Sequence, residues 1–313
     1  MNLKAPCSLG ARAPSPAIER KARTSSRAVC DLSMKAPRLL GTRAPSPALS
    51  AKREQSLKQF PLLLDDHVHI WRVPLNQSSE RTALSLDVLS PDEREKAARF
   101  RFDKDRNQFV QARAALRFIL SEYLNVTPQS LEFSYGSHGK PALANGHASS
   151  NLRFNLSRRE GLALVAVTRG REIGVDVELI RADVPCFEIA DVSFSLAESA
   201  TLRSLPESLR TAGFYNCWTC KEAYVKARGE GLSFPLQQFD VSLAPGDPAK
   251  LLRVGDDDND VDRWTLQEIP VGENYVAALA VEGSNLNVTC RDWNLPSNLR
   301  SARDNSTSFP GSP

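Results

Sequence analysis

A chain of 313 residues with 41% hydrophobic and 25% charged side chains has the composition of a soluble globular protein of one large domain or two modest ones. No stretch approaches the ~18 apolar residues of a membrane span, and the start lacks the apolar core of a secretory signal; both exclude a membrane partner and predict a cytoplasmic protein. The formal charge of +3 is uneven: residues 1–54 hold 11 Lys and Arg against 3 Asp and Glu, and the remainder 29 against 34, so the acidic body argues against nucleic acid as a partner.

In chain order, residues 1–60 read as a disordered leader. LKAPCSLGARAPSPA at 3–17 returns as MKAPRLLGTRAPSPA at 34–48, and such Pro-, Ala- and Arg-rich copies cannot bury enough surface to offset chain entropy. A transit peptide, a duplicated stretch of coding sequence or an over-called start codon are the other readings of this leader. His67 to Val73 alternates polar and apolar residues as a half-buried strand does. Ser90-Pro91-Asp92-Glu93 is a helix start, and the apolar spacing from Phe109 to Tyr123 continues it as one long amphipathic helix. Strands follow at 131–135, 152–156, 162–168 and 173–179, with a loop at 136–148. Helices are expected at 195–209 and 213–228, with Gly229 as a C-terminal stop. Later strands fall at 239–243, 264–269, 275–281 and 287–292, and 296–313 reads as a disordered tail. This is an α+β protein, with lobes at 61–180 and 181–295.

GVDVE at 174–178 carries the first chemical signal. On a strand, Asp176 and Glu178 share one face about 7 Å apart, which suits a hard divalent cation and equally suits a solvated outer face. The second signal lies in FYNCWTCKEAYVKARGEGLSFP at 214–235. Lys221 and Glu222 interrupt an apolar stripe beside Trp218, where charge is either paired or lining a cleft. Glu222 and Lys226 are also spaced as an ordinary surface ion pair.

GVDVE, FSLAE at 194–198 and WTCKEAYVKARGEGL at 218–232 together resemble the Sfp-type 4′-phosphopantetheinyl transferases, in motif order and spacing. SPDEREKAARF at 90–100, QARAALRFIL at 111–120, GKPAL at 139–143 and FNLSR at 154–158 extend the likeness from about residue 68 to 282. The resemblance implies two similar lobes packed as a pseudo-dimer. It implies transfer of phosphopantetheine from coenzyme A to an apo acyl or peptidyl carrier protein, with Mg²⁺ as cofactor and a monomer as the working form. Carriers of fatty-acid, polyketide, peptide-synthetase or lysine pathways fit that class. A coenzyme A or carrier-protein binder without catalysis is the rival reading.

Carried over residue by residue, the metal ligands are Asp176, Glu178 and Glu222, with Glu222 alternatively the general base. The catalytic set is Glu222, Lys226 and Asp176. Lys226 and Lys221 point at the pyrophosphate. Lys96, Arg113 and Lys140 with Pro141 grip the nucleotide end, and Ser157 and Arg158 contact coenzyme A phosphate. Arg158 stands where the family usually has His, keeping the positive charge. Glu198 is a helix-face acid near the metal. Cys217-Trp218-Thr219-Cys220 lacks the βαβ context of a redox motif, and the Asp256–Asp260 run reads as a solvated turn.

Overall fold

The computed structural model describes residues 60–255 and 258–294; the predicted leader, its repeat, the tail, Asp256 and Asp257 lie outside them. Strands β1 (His67–Pro74), β4 (Leu152–Arg159), β5 (Leu162–Arg169) and β11 (Asn287–Asp292) form one sheet in the order β11-β1-β5-β4. Strands β6 (Ile173–Leu179), β9 (Trp264–Glu268) and β10 (Tyr275–Glu282) form a second, β6-β10-β9. β1 runs antiparallel to β5 and parallel to β11, while β10 runs antiparallel to both neighbours.

Period-two alternation sorts these strands into layers. Val68 and Ile70 of β1, Leu164 and Ala166 of β5, Val175 and Val177 of β6, and Ala277 and Leu279 of β10 meet in one core between the sheets. On its other face the first sheet sends Trp71, Val73, Val165 and Val167 into a core with Ala112, Leu116, Ile119 and Leu120 of α3 (Asp103–Leu124). On its other face the second sheet sends Leu266, Ala278 and Ala280 into a core with Phe214, Cys217, Ala223 and Tyr224 of α6 (Glu207–Arg228). The layering is helix, sheet, sheet, helix, so β5 is buried along almost its whole length as a strand covered on both faces must be.

The lobes exchange strands. β6 lies before residue 180 yet belongs to the second sheet, and β11 lies after it yet pairs with β1 from His67↔Asn287 to Arg72↔Asp292. A cut of the chain at 180 therefore does not separate the two sheets.

Several expected elements differ. The single helix from Ser90 is two: α2 (Pro91–Ala98), which opens with a Ser90/Glu93 capping box, and α3. Phe100 in the break packs against Phe109, with ring centroids 5.3 Å apart; nine residues of unbroken helix would set those rings on opposite sides. Glu93 then ties α2 to α3, its carboxylate taking Arg113 Nε and Arg117 Nε at 2.6 Å each. The 136–148 loop contains β3 (Pro141–Leu143), paired with β2 (Phe133–Tyr135). Helices α1 (Ser79–Leu86) and α4 (Cys186–Ser193) were not foreseen. The helix from Ser195 stops as α5 (Leu196–Ser204), and α6 begins at Glu207 after Pro206. A short hairpin joins β7 (Phe239–Val241) to β8 (Leu251–Val254), and α7 (Asp258–Asp262) follows it. Among the described residues no helix is long and apolar enough to cross a membrane.

Candidate functional site

The face of β6 that sequence alternation leaves polar is turned toward α6, since Val175 and Val177 occupy the opposite core. The approach is close because of Gly174: a Cβ there would lie 2.1 Å from the Ala223 carbonyl oxygen and 2.3 Å from the Ala227 nitrogen. Opposite Gly174 and Asp176 on β10 stand Ala280 and Ala278, so small residues let the helix backbone settle on the sheet. On the other side Asn155 of β4, buried, accepts the Val175 N–H on Oδ1 at 3.0 Å. Strand β6 is thus held by β4 and pressed on α6.

That contact sets the chemistry. Asp176 is 3% exposed, and its Oδ1 accepts from Lys226 Nζ at 2.5 Å and from Ser157 Oγ at 3.0 Å. Ser157 Oγ in turn accepts from Lys226 Nζ at 3.2 Å. Asp176 Oδ2 is buried and takes no hydrogen bond. Two residues along, Glu178 pairs with Arg159 Nε at 2.9 Å. Glu222, one turn before Lys226, is half-buried, and its nearest influences are Lys226 and Asp176.

Burial and crowding show in the proton affinities of Glu178, Glu222 and Lys226. Burial first, then the charges of Asp176 and Glu222, push Glu178 up to about 7 against the pull of Arg159 and Lys226. Burial likewise raises Glu222, with Lys226 opposing and Asp176 adding to the rise. For Lys226 burial works against the charged form, but Asp176, Glu222 and Glu178 outweigh it and raise the ammonium above its ordinary value. An all-oxygen donor set with one orphaned buried oxygen suits a hard cation such as Mg²⁺. Among the described residues no three His, Cys, Asp or Glu side chains are drawn into a ready-made metal cage; the position beside Asp176 is held by the Lys226 ammonium.

A second group of charges gathers on α2, α3 and β4. Arg158 lies over the rings of Phe100 and Phe109, at 5.7 and 5.9 Å, and Lys96 over Phe109 at 5.7 Å. Burial lowers the Lys96 ammonium below its usual value, and Arg113 and Arg158 lower it further, against Asp92 and Glu93. Burial also lowers Arg158, opposed by Asp105. Three cations thus lie close enough for Arg113 and Arg158 to act on Lys96, an arrangement that would suit an anion. Arg113 is positioned within it by Glu93 and by Tyr135 Oη at 3.2 Å. Lys140, just before Pro141 at the start of β3, donates to Glu172 at 2.9 Å and to the Ala227 carbonyl at 2.8 Å, pinning the hairpin to the end of α6.

Two motif residues stand elsewhere. Lys221 is fully buried and donates to the carbonyls of Leu236 at 2.7 Å and Phe239 at 2.6 Å. Its remaining partner is Glu198, at 2.8 Å. Glu198 is buried as well, capping α5 through Ser195 N and accepting the Val241 N–H at 2.8 Å. Lys221 is therefore corrected from a phosphate ligand, and Glu198 from a helix-face acid, to a structural pair that ties α5, α6 and β7. Within the acidic run Asp260 is corrected too: it is only 14% exposed and holds Arg228 Nη1 at 2.7 Å and Tyr224 Oη at 3.0 Å. Asn155, Arg159 and Tyr135 were not singled out from sequence; the buried Asn inside a strand of apolar neighbours was the available signal for the first.

The 4′-phosphopantetheinyl transferase superfamily matches residues 172–280, and the family described as 4′-phosphopantetheinyl transferase, N-terminal, matches 75–169. The 4′-phosphopantetheinyl transferase HetI of Nostoc sp. is 41% identical over 221 residues, covering 71% of this chain and 90% of its own. The human L-aminoadipate-semialdehyde dehydrogenase-phosphopantetheinyl transferase is 28% identical over 211 residues, 63% of this chain and 68% of its own. The 4′-phosphopantetheinyl transferase Sfp of Bacillus subtilis is 29% identical over 170 residues, 54% and 72%. The solved holo-[acyl-carrier-protein] synthase of Thermotoga maritima aligns over 36% of this chain and 64% of its own at 20% identity with a TM-score of 0.29, too slight a likeness to bear on the site.

Proposed function

Because this chain belongs to the 4′-phosphopantetheinyl transferase superfamily, we propose that it transfers the 4′-phosphopantetheine group of coenzyme A to a serine of an apo acyl or peptidyl carrier protein. The observation that carries this reading is the Lys226–Asp176 contact with its orphaned Asp176 Oδ2, set where β6 meets α6. It joins a phosphate-seeking ammonium to a carboxylate group suited to a hard cation.

In the transfer, the carrier serine oxygen bonds to the β-phosphorus of coenzyme A while the bond from that phosphorus to the bridging oxygen breaks, and adenosine 3′,5′-bisphosphate leaves. Mg²⁺, held by Asp176, Glu178 and Glu222, would draw charge from the pyrophosphate oxygens when bound. In the free protein Lys226 gives one N–H to Asp176 and one to Ser157, and an ammonium has three, so a phosphate oxygen finds a donor there on arrival. Ser157 orients both partners. Glu222, raised by burial, is suited to take the serine proton. Lys96, Arg113 and Arg158 receive the phosphates of the nucleotide end, with Lys140 and Pro141 at its edge. The reading extends to a cytoplasmic monomer: Cys186, Cys217, Cys220 and Cys290 are free thiols, as a reducing compartment would keep them.

Incubation with an apo carrier, coenzyme A and Mg²⁺ tests the reading. Holo carrier and adenosine 3′,5′-bisphosphate should appear in equal amounts. Tight coenzyme A binding with no product from any of several carriers would favour a binding protein instead.

A further inference from the structure

Three carboxylates share the contact between β6 and α6, and two of them already have a cation. Asp176 Oδ1 holds Lys226 Nζ at 2.5 Å, and Glu178 holds Arg159 Nε at 2.9 Å. Among the described residues Glu222 alone of the three makes no ion pair, although Lys226 acts on it. Counted formally, the cluster is left with a single excess negative charge. A divalent cation added to that arrangement would reverse the sign of the excess and place it against two resident cations. A doubly charged diphosphate ester arriving with the cation would restore the original balance. Charge in a poorly hydrated cleft is costly to leave uncompensated, so the two additions favour each other strongly.

We propose that Lys226 and Arg159 are resident counter-cations that occupy the carboxylate cluster of the free protein, so that a divalent cation and a diphosphate ester enter the site as a coupled pair. The inference rests on the transferase reading and deepens it. Lys226 is the movable member: its ammonium is tethered by a flexible four-carbon stem, and the incoming phosphate offers it another acceptor. Its departure frees Asp176 Oδ1 beside the orphaned Oδ2. Arg159 is the fixed member. It reaches Glu178 from β4, and it is a positioning residue rather than a catalytic one. Arg159 lies next to Arg158 in the chain, but the two have separate tasks: Arg158 lies over Phe100 and Phe109.

The test is direct binding of Mn²⁺, followed by the paramagnetic resonance of the free ion, to the full chain without coenzyme A. The wild type should bind weakly. Lys226→Met, which empties the place beside Asp176, should bind roughly tenfold more tightly, and Arg159→Gln should shift the same way. Adding coenzyme A should narrow the gap between wild type and Lys226→Met, because the diphosphate draws Lys226 away. If Lys226→Met binds Mn²⁺ no more tightly than wild type, the proposal is overturned. If its melting curve shows that it is unfolded, Arg159→Gln decides by the same criterion. Transfer activity of the same wild-type preparation separates the two layers. An active wild type with untightened variants sinks the counter-cation proposal alone, and an inactive one with every carrier sinks the reading beneath it.

Discussion

Gly174 meets Ala223 with no room for a side chain: a Cβ on the glycine would sit 2.1 Å from the Ala223 carbonyl oxygen. The obstacle is helix backbone, which cannot swing aside, so the residue before the carboxylate pair fixes how near β6 comes to α6. That approach brings Asp176 within 2.5 Å of Lys226. Gly174→Ala should therefore lower stability by about 1–3 kcal/mol, the usual cost of overpacking, and lower kcat more than a stability loss explains. A thermal melt and a transfer assay below the melting range check this; unchanged values in both would show that the contact is not needed.

The Lys221–Glu198 pair predicts a different pattern. Breaking a fully buried pair by removing one partner costs about 3–5 kcal/mol, whereas replacing both with apolar residues of like volume is close to neutral. Lys221→Met should destabilise strongly, and Lys221→Met with Glu198→Leu should recover only the part owed to the unpaired charge, because the Leu236 and Phe239 carbonyls and the Ser195 and Val241 N–H groups lose their partners. In the folded double variant the KM for coenzyme A should stay near wild type. A raised KM with unchanged stability would return Lys221 to the phosphate site.

At the nucleotide end, Arg158→Ala should raise the KM for coenzyme A roughly tenfold, the scale of one charge-assisted contact, with kcat little changed. Repeating the comparison with coenzyme A lacking its 3′-phosphate assigns the contact. If Arg158 serves that phosphate, the difference between wild type and variant should nearly vanish; if it persists, Arg158 acts elsewhere on the substrate.

His69 gives a pH dependence unrelated to catalysis. It is 2% exposed, and its Nδ1 lies 2.8 Å from Tyr123 Oη, which accepts from Trp71 Nε1 at 2.9 Å. A tyrosine proton donated to Nδ1 needs a neutral ring as its acceptor. Burial, then His67 and Arg291, lower its pKa from 6.5 to about 4. The unfolded chain takes up this proton below about pH 6.5 and the folded chain does not. The contribution to stability is whole above that pH and is lost as pH falls toward 4. By linkage it reaches about 3 kcal/mol. Urea midpoints of wild type should fall between pH 7 and 4 more steeply than those of His69→Gln; parallel slopes would contradict the assignment.

Much of the fold was legible because local pattern and tertiary context agree. His67 to Val73 alternates, and the strand it predicts is β1. Gly229 takes the left-handed conformation, with φ of 74°, that ends α6. The break between α2 and α3 was not legible, because it serves a contact between Phe100 and Phe109 that is tertiary. In the site, GVDVE left open whether Asp176 and Glu178 face solvent or chemistry; alternation gave the shared face, but not that α6 covers it. The split between Lys221 and Lys226 was present in the sequence, since five helical residues place two side chains about 140° apart. Glu198 likewise carried the capping-box spacing from Ser195. Arg159 and Asn155 depend on which strands of β4 and β6 come together, which no local pattern specifies.

The central claim is that the carboxylates gathered by Gly174 are the transfer centre. The most direct measurement is the intact mass of an apo carrier after single-turnover incubation with coenzyme A, Mg²⁺ and wild-type, Asp176→Asn or Glu222→Gln protein. The account predicts a gain of one phosphopantetheine per carrier with wild type and a rate at least about a hundredfold lower with either variant, the scale of a lost catalytic group. Equal gain at equal rate in all three would contradict it.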